Sequence, residues 1–360
     1  MNQDKYLLAL NAHQKIGSQT IKKILNVTHE LSVFWQKSEK ISSLPLDEKI
    51  RSLISETVKT IDPDHELVKL LDQNVGYVTI FDKNYPPVLK QLPDCPAVLY
   101  IRGSKNILDM SAIGVVGSRK YTDYGLNSCQ KLVAGLATQG VVVISGLALG
   151  IDAIAHKTTL DNGGKTVAVL GCGLDQIYPS SNYQLGKKII ENGGAIISEY
   201  SLGTPPMKQN FPARNRIIAG LSLGVLVVEA SVDSGSLITA MCALDYNRDV
   251  FAVPGNIDNE SSLGTNMLIQ QGAKLVISSD DILSEINIKK KTDNEVAKKI
   301  LPVTADEVLI ISVLSGGEKL LDEIVEKTGL SIIAINTTLT YLEMKGLVRN
   351  IGGGRWKSQA

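Results

Sequence analysis

Residues 113–146 read IGVVGSRKYTDYGLNSCQKLVAGLATQGVVVISG, and this stretch decides the fold. Ile113–Val116 is a short apolar run rich in β-branched side chains, and it stops at Gly117. A helical stretch follows, YGLNSCQKLVAGLATQG, and then a second apolar run, VVVI, that stops at Ser145 and Gly146. Two strands joined through a helix make a βαβ unit, in which the strands lie parallel. Strands that are apolar at every position, not at alternate ones, are covered on both faces. The pattern repeats in TVAVL, AIIS, VLVVE, VFAV and LVIS, with helical stretches such as GSLITAMCALDYN between them. The fold class is therefore α/β, built on a parallel sheet with helices on both faces.

Right-handed crossovers send every strand-to-helix loop of such a sheet to one edge, where these folds bind ligands. Six loops are expected there: GSRKYTDYG (117–125), SGLALGIDAIAH (145–156), GCGLDQIYP (171–179), KQNFPARNRIIAGLS (208–222), EASVDSGSLIT (229–239) and PGNIDNESSLGTN (254–266). Most carry glycine near the strand end and run into a helix N-terminus, whose free N–H groups and dipole favour anions. Together they predict a phosphate-bearing ligand. The cations predict the same. Arg119 and Lys120 follow the first strand, and Lys208, Arg214 and Arg216 surround Phe211. Two readings of Phe211 fit the spacing equally. In one its ring stacks on an unpaired base. In the other it only staples the start of the helix, while Arg214 and Arg216 pair with Glu199 and Glu229. Asn215 is expected to cap that helix, after a loop stiffened by Pro205 and Pro206.

The motifs of several enzyme classes are missing. GCGLDQ lacks the third glycine of a dinucleotide fingerprint, and no GxxxxGK[ST], HExxH or GxSxG occurs. His156, four residues after Asp152 at an apolar helix start, reads as a hydrogen-bonded structural histidine. The four cysteines, Cys95, Cys129, Cys172 and Cys242, are far apart and set among apolar residues, as expected of reduced thiols and not of metal ligands. No cofactor is expected. Lys plus Arg and Asp plus Glu are 37 each, so the sum of charge says nothing about an anionic partner and the clustering decides. The polar start MNQDKYLLALNAHQ predicts no secretory leader, and no apolar run reaches the length of a membrane span.

The flanks differ in kind. Residues 1–75 carry helical apolar spacing, as in DKYLLALNA and QKIGSQTIKKILN, and predict a small helical bundle or a helix-hairpin-helix that would offer a helix N-terminus to a phosphate. GYVTIF and AVLYIRG read as strands around a proline-rich loop, which opens a central unit over 76–285. A Lys-rich linker is expected over 286–300. Residues 301–360 predict three helices and a glycine-tipped hairpin, the outline of a winged helix. The third helix, SIIAINTTLTYLEMKGL, is expected to expose mostly Ser, Asn and Thr, with one Lys, Lys345, at its end. Cations return only in the hairpin, at Arg349, Arg355 and Lys357 around Trp356.

GVVGSRKYTDYG, VVISGLALGIDAIAH, TVAVLGCGLDQIYP, NFPARNRIIAGLS and VLVVEASVDSGSLITAMCALDYNRDVFAVPG, in that order, resemble the DNA-processing protein A family (DprA/Smf). The resemblance spans about residues 76–285. It implies an extended Rossmann-like core, and a weaker likeness extends to a sterile-alpha-motif-like N-terminal domain and a C-terminal winged helix. It further implies a non-enzymatic, cytoplasmic protein that binds single-stranded DNA, loads the RecA recombinase onto it during natural transformation, and forms a homodimer through the sheet domain. By the same resemblance Arg119 contacts phosphate, Lys208 contacts DNA, Phe211 packs on a base, and Gly117, Ser118, Ser145 and Gly146 donate from backbone and hydroxyl. Arg214, Asn215 and Arg216 match the family's RNR motif, which shapes the pocket. An enzyme acting on a small nucleotide is the competing reading. ASVDSGSLITA stands where related proteins carry PGGxGTxxE, but lacks the paired glycines and the downstream acid. A transcription regulator is a third reading and rests on the winged helix alone.

Overall fold

The computed structural model describes residues 3–286, 304–344 and 347–358, and the chain forms two compact units, Met1–Ile288 and Lys289–Ala360. The expected linker over 286–300 lies, but for Ile286, outside the described residues, as does Lys345.

The first unit is built on a nine-stranded sheet. Its strands are β1 (Gly76–Thr79), β2 (Val98–Gly103), β3 (Ala112–Val116), β4 (Val142–Ser145), β5 (Thr166–Leu170), β6 (Ala195–Ser198), β7 (Gly224–Val227), β8 (Asp249–Ala252) and β9 (Lys274–Leu275). Their order across the sheet is β1-β2-β6-β5-β4-β3-β7-β8-β9. From β6 to β9 every pairing is parallel, and β1 and β2 add an antiparallel edge. The order of strands along the chain reverses at β3, which lies between β4 and β7 and so marks the topological switch point.

The alternation of a strand explains the two-sided core. On β3, Ala112 and Val116 face one layer with Ile217 and Ile218 of helix Asn210–Leu221 and Ala240 and Ala243 of helix Ser236–Asp245. Ile113 and Val115 face the other, with Leu132 and Leu136 of helix Asp123–Thr138 and Ile151 and Ala155 of helix Ile151–Asp161. The N-terminal helices join this sheet rather than standing apart. Leu7, Leu10, Ile21, Ile24 and Phe34 share one buried cluster with Val98 and Tyr100 of β2, Ala168 and Leu170 of β5 and Ile196 of β6. Ser18, in the first turn of helix Ser18–Val27, donates to Glu199 Oε1 at 3.0 Å. That helix start, a candidate phosphate site by sequence, is thus turned toward a carboxylate of the sheet. All four cysteines are free, with Cys129 and Cys172 buried and Cys95 and Cys242 half-buried. No helix among the described residues is long and apolar enough to cross a membrane.

The second unit is a winged helix. Helices Ala305–Leu314, Leu321–Thr328 and Ile332–Met344 pack Ile310, Leu314, Ile324, Ile335 and Leu339 together with Val348 and Trp356 of the hairpin. Two expectations change here. Trp356 is buried in this core, so Arg349, Arg355 and Lys357 stand exposed without a ring between them. The third helix exposes Asn336, Thr337 and Thr340 as expected, but also Ile332, Ile333 and Tyr341.

Candidate nucleic-acid interface

All six strand-end loops contribute to one pocket of about 840 Å³ over the β3/β7 switch point. Its wall carries four cations, Arg119, Lys120, Lys208 and Arg214, against two carboxylates, Asp152 and Glu260. Arg119, Lys120 and Lys208 are exposed, and none of them is ion-paired among the described residues. Cations left free at a concave rim are available to an anionic ligand.

An aromatic stack lines the same pocket. The ring of half-buried Phe211 sits 5.4 Å from that of Tyr178 with 29° between the planes, and the Arg119 guanidinium lies 6.0 Å from the Phe211 centroid. Sequence reasoning missed Tyr178; it ends the third loop, where no periodicity marks a side chain. Phe211 is the second residue of helix Asn210–Leu221. A hydrophobic staple instead joins the residue before the N-cap to the fourth of the helix. Those positions hold Lys208 and Ala213 here.

The arginines of the helix divide. Arg214 is buried beneath the pocket floor and donates through Nη1 to the carbonyl of Gly146 at 2.8 Å and to that of Val169. A Cβ on Gly146 would come within 2.4 Å of this guanidinium, so the glycine at the end of β4 makes room for Arg214 and not for a ligand. Burial pulls the Arg214 pKa down, while the Asp152 charge pulls it up. Asp152 accepts from the N–H of Gly146 at 3.1 Å and of Ala148 at 3.4 Å; burial pushes its carboxyl up and Arg214 opposes that. Arg216 does not line the pocket: its guanidinium binds Glu199 and approaches Asp94 at 3.7 Å. The expected pairing of Arg216 with Glu199 is present. Glu229 pairs with neither arginine and accepts instead from the Thr122 N–H at 2.9 Å and the Thr122 hydroxyl. Asn215 lies inside the helix, not at its cap, because the helix begins at Asn210; its Nδ2 donates to the Gly235 carbonyl at 3.4 Å.

The remaining candidates sit around this frame. Gly117 and Ser118 line the pocket, and the Ser118 hydroxyl is bound within its own loop to Lys120. Ser145 is buried with its hydroxyl on the Val115 carbonyl at 2.6 Å. His156 is sealed in the core with Nδ1 2.7 Å from the Thr166 hydroxyl, and burial lowers its pKa to about 3. Among the described residues no group of three or more His, Cys, Asp or Glu is placed to hold a metal ion. The helix starts along the pocket edge are also unequal. Glu229 holds Thr122, whose hydroxyl accepts the Gly125 N–H at the start of helix Asp123–Thr138, and Asn259 caps helix Glu260–Gln270. The N-cap residues of helices Ile151–Asp161, Asn210–Leu221 and Ser236–Asp245 supply no side-chain cap.

The sequence pattern of the family described as DNA recombination-mediator protein A matches residues 76–287, and that of the DprA winged helix domain matches residues 297–354. Protein Smf of Escherichia coli strain K12 is 41% identical over 286 residues, covering 75% of this chain and 74% of that protein. The X-ray structure of DNA processing protein A from Streptococcus pneumoniae superposes with a TM-score of 0.65 at 39% identity, covering 79% of this chain and 98% of that one. A structure of DNA processing protein A from Helicobacter pylori, described for its single-stranded DNA binding mode, superposes with a TM-score of 0.54 at 34% identity, covering 60% and 97%.

Proposed function

Because the chain belongs to the DNA recombination-mediator protein A family, we propose that it is a non-enzymatic mediator that holds single-stranded DNA in the six-loop pocket and loads the RecA recombinase onto it during natural transformation. The observation that carries this reading is the pocket wall itself, which the free cations Arg119, Lys120 and Lys208 share with the Phe211–Tyr178 stack. Cations track a sugar–phosphate backbone and rings take unpaired bases of any sequence. The solved relative from Helicobacter pylori, described for single-stranded DNA binding, supports the same ligand. The buried acids and histidine of these loops are engaged elsewhere: His156 with Thr166, Asp152 with the Gly146 and Ala148 amides, Glu229 with Thr122. In this reading the protein acts in the cytoplasm as a homodimer. The exposed stripe Ile238, Met241 and Leu244 on helix Ser236–Asp245 supports a second copy against the sheet unit.

Fluorescence anisotropy with labelled oligonucleotides, single- and double-stranded, over a salt series tests the reading, beside a base-release assay on nucleoside monophosphates. Arg119→Ala and Lys208→Ala are each expected to weaken single-strand binding alike for all sequences, and to lower the salt slope by about 0.7 for each phosphate that is no longer neutralised. Unchanged affinity and slope in both variants, with folding intact by circular dichroism, would remove the pocket as the binding site. Base release by the wild type would establish the nucleotide enzyme instead.

The winged helix has a subsidiary part in this reading. Its third helix offers amides, hydroxyls and apolar side chains but no described cation, so base readout of a duplex has little to work with. The exposed Ile332, Ile333 and Tyr341 suit a protein contact. Removing residues 301–360 is expected to weaken single-strand affinity by less than about tenfold, roughly 1.4 kcal/mol. A greater loss at equal salt would make the domain a principal DNA-binding element.

A further inference from the structure

We propose a second phosphate subsite in the same pocket, at the start of helix Ser236–Asp245, which takes a nucleotide phosphate ester on neutral donors while Arg119 and Lys208 hold another. The ten-residue helix begins on the pocket wall, and Ser234, Gly235, Ser236 and Thr239 all line it. The serines and glycine of this loop have no task in the binding reading.

Two independent observations point to a ligand there. Thr239, one turn into the helix, is 1% exposed, and its hydroxyl has no hydrogen-bond partner among the described residues. A helical threonine ordinarily donates back to the carbonyl four residues earlier. That carbonyl belongs to Gly235 and accepts instead from Asn215 Nδ2. A buried hydroxyl without a partner carries a desolvation cost, which an acceptor in the pocket would remove. The second observation is Gly235. Its φ of −61° and ψ of −16° are open to any residue, and a Cβ added there would meet nothing within 4 Å. Gly146 is held to glycine by Arg214; no neighbour holds Gly235 so. A bare backbone facing open space lets a ligand approach the helix start closely. The hydroxyls of Ser234 and Ser236, 2.7 Å apart, stand beside it, and the Ser236 N–H reaches Ser234 Oγ at 3.4 Å. The helix dipole adds its positive end. Glu260 is exposed on the same wall. The helix dipole and the free cations of the same pocket oppose its repulsion of an anion.

The proposal rests on the single-strand reading, and its test separates the two. Thr239→Val keeps the side-chain shape and removes the hydroxyl, and Gly235→Ala fills the approach. Each is expected to weaken oligo(dT) binding by about tenfold. The melting temperature should hold, or rise in Thr239→Val because the orphan hydroxyl is gone. The salt slope should stay at the wild-type value, since neutral donors replace no counterion, whereas Arg119→Ala lowers it. A parallel titration with thymidine 5′-monophosphate, followed by ³¹P and amide NMR, separates a strand phosphate from a free nucleotide. Loss in the oligonucleotide arm alone assigns the subsite to the strand, and loss in both assigns it to either source. If the wild type ignores oligonucleotides but binds the monophosphate through Gly235 and Thr239, the strand reading fails and the subsite stands. Wild-type affinity for both ligands in both variants, or a wild type that binds neither, overturns the subsite.

Discussion

Arg216→Ala is expected to destabilise the protein by about 3–5 kcal/mol, the range for breaking one side of a buried ion pair, while the folded protein keeps its oligonucleotide affinity. The side chain of Arg216 is 13% exposed and that of its partner Glu199 is 11%. Asp94 lies on the other side, 3.7 Å from Nε, and also accepts from the Tyr246 hydroxyl at 2.6 Å. Without the guanidinium, Glu199 is left in a low-dielectric site with the Ser18 hydroxyl and Asp94 as its nearest company. The loss should extend beyond the helix that carries Arg216, because Ser18 and Glu199 join the N-terminal helices to the sheet. The pH dependence follows from the direction of the shift. Burial already pushes the Glu199 carboxyl up, and Arg216 opposes that. Removing Arg216 raises it further, so the folded variant holds a proton where the unfolded chain, near 4.3, has lost it. The deficit against the wild type should therefore be largest at neutral pH and shrink as pH falls toward the wild-type carboxyl's own raised value, where both folded forms hold the proton. Chemical denaturation at several pH values measures this. Full stability with a collapse of DNA affinity would mean that Arg216 reaches the ligand and that the ion pair is not its main task.

The same pair shows what the sequence could and could not reveal. The βαβ alternation places seven strands and brings the six loops to one edge, because strand period and crossover handedness are local and general rules. The motif RNR gives no roles by itself, yet helix geometry separates its arginines: at about 100° per residue, Arg214 and Arg216 stand about 200° apart. One can underlie the pocket floor and the other cannot follow it. Which carboxylate waits on the far side is a matter of tertiary contact. By spacing Glu229 is as good a candidate as Glu199, and only its place beside Thr122, on another strand-end loop, removes it. The helix start departs from expectation for a similar reason. The loop before Asn215 looks unstructured in a chain holding Pro212, but proline is tolerated in a first turn, where its missing N–H has no partner in any case. The apolar face of the N-terminal helices was legible, whereas its partner, the β2–β6–β5 side of the sheet, was not, since apolar periodicity names a buried face and not what buries it.

Phe211→Ala is expected to cost roughly 1–3 kcal/mol of single-strand affinity, the range for losing one base–aromatic stack. The ring's position argues for this over a packing role. It sits at the second residue of its helix, where the staple geometry is not available, and it remains half-buried at the pocket wall. Its neighbours are the Tyr178 ring and the Arg119 guanidinium, a stack open to the pocket rather than a sealed core. Stacking discriminates little among bases, so the loss should be similar on oligo(dT) and mixed sequences. It should also leave the salt slope unchanged, which distinguishes it from Arg119→Ala. Tyr178, 44% exposed, extends the same platform, and Tyr178→Ala should weaken binding in the same sequence-tolerant way but by less, since Phe211 keeps its place against the pocket wall. Melting each variant alongside the anisotropy titration separates the alternatives. A ring that only packs would show its loss in the melting temperature, and a Phe211→Ala protein that melts early but binds single strands as tightly as the wild type would end the stacking account.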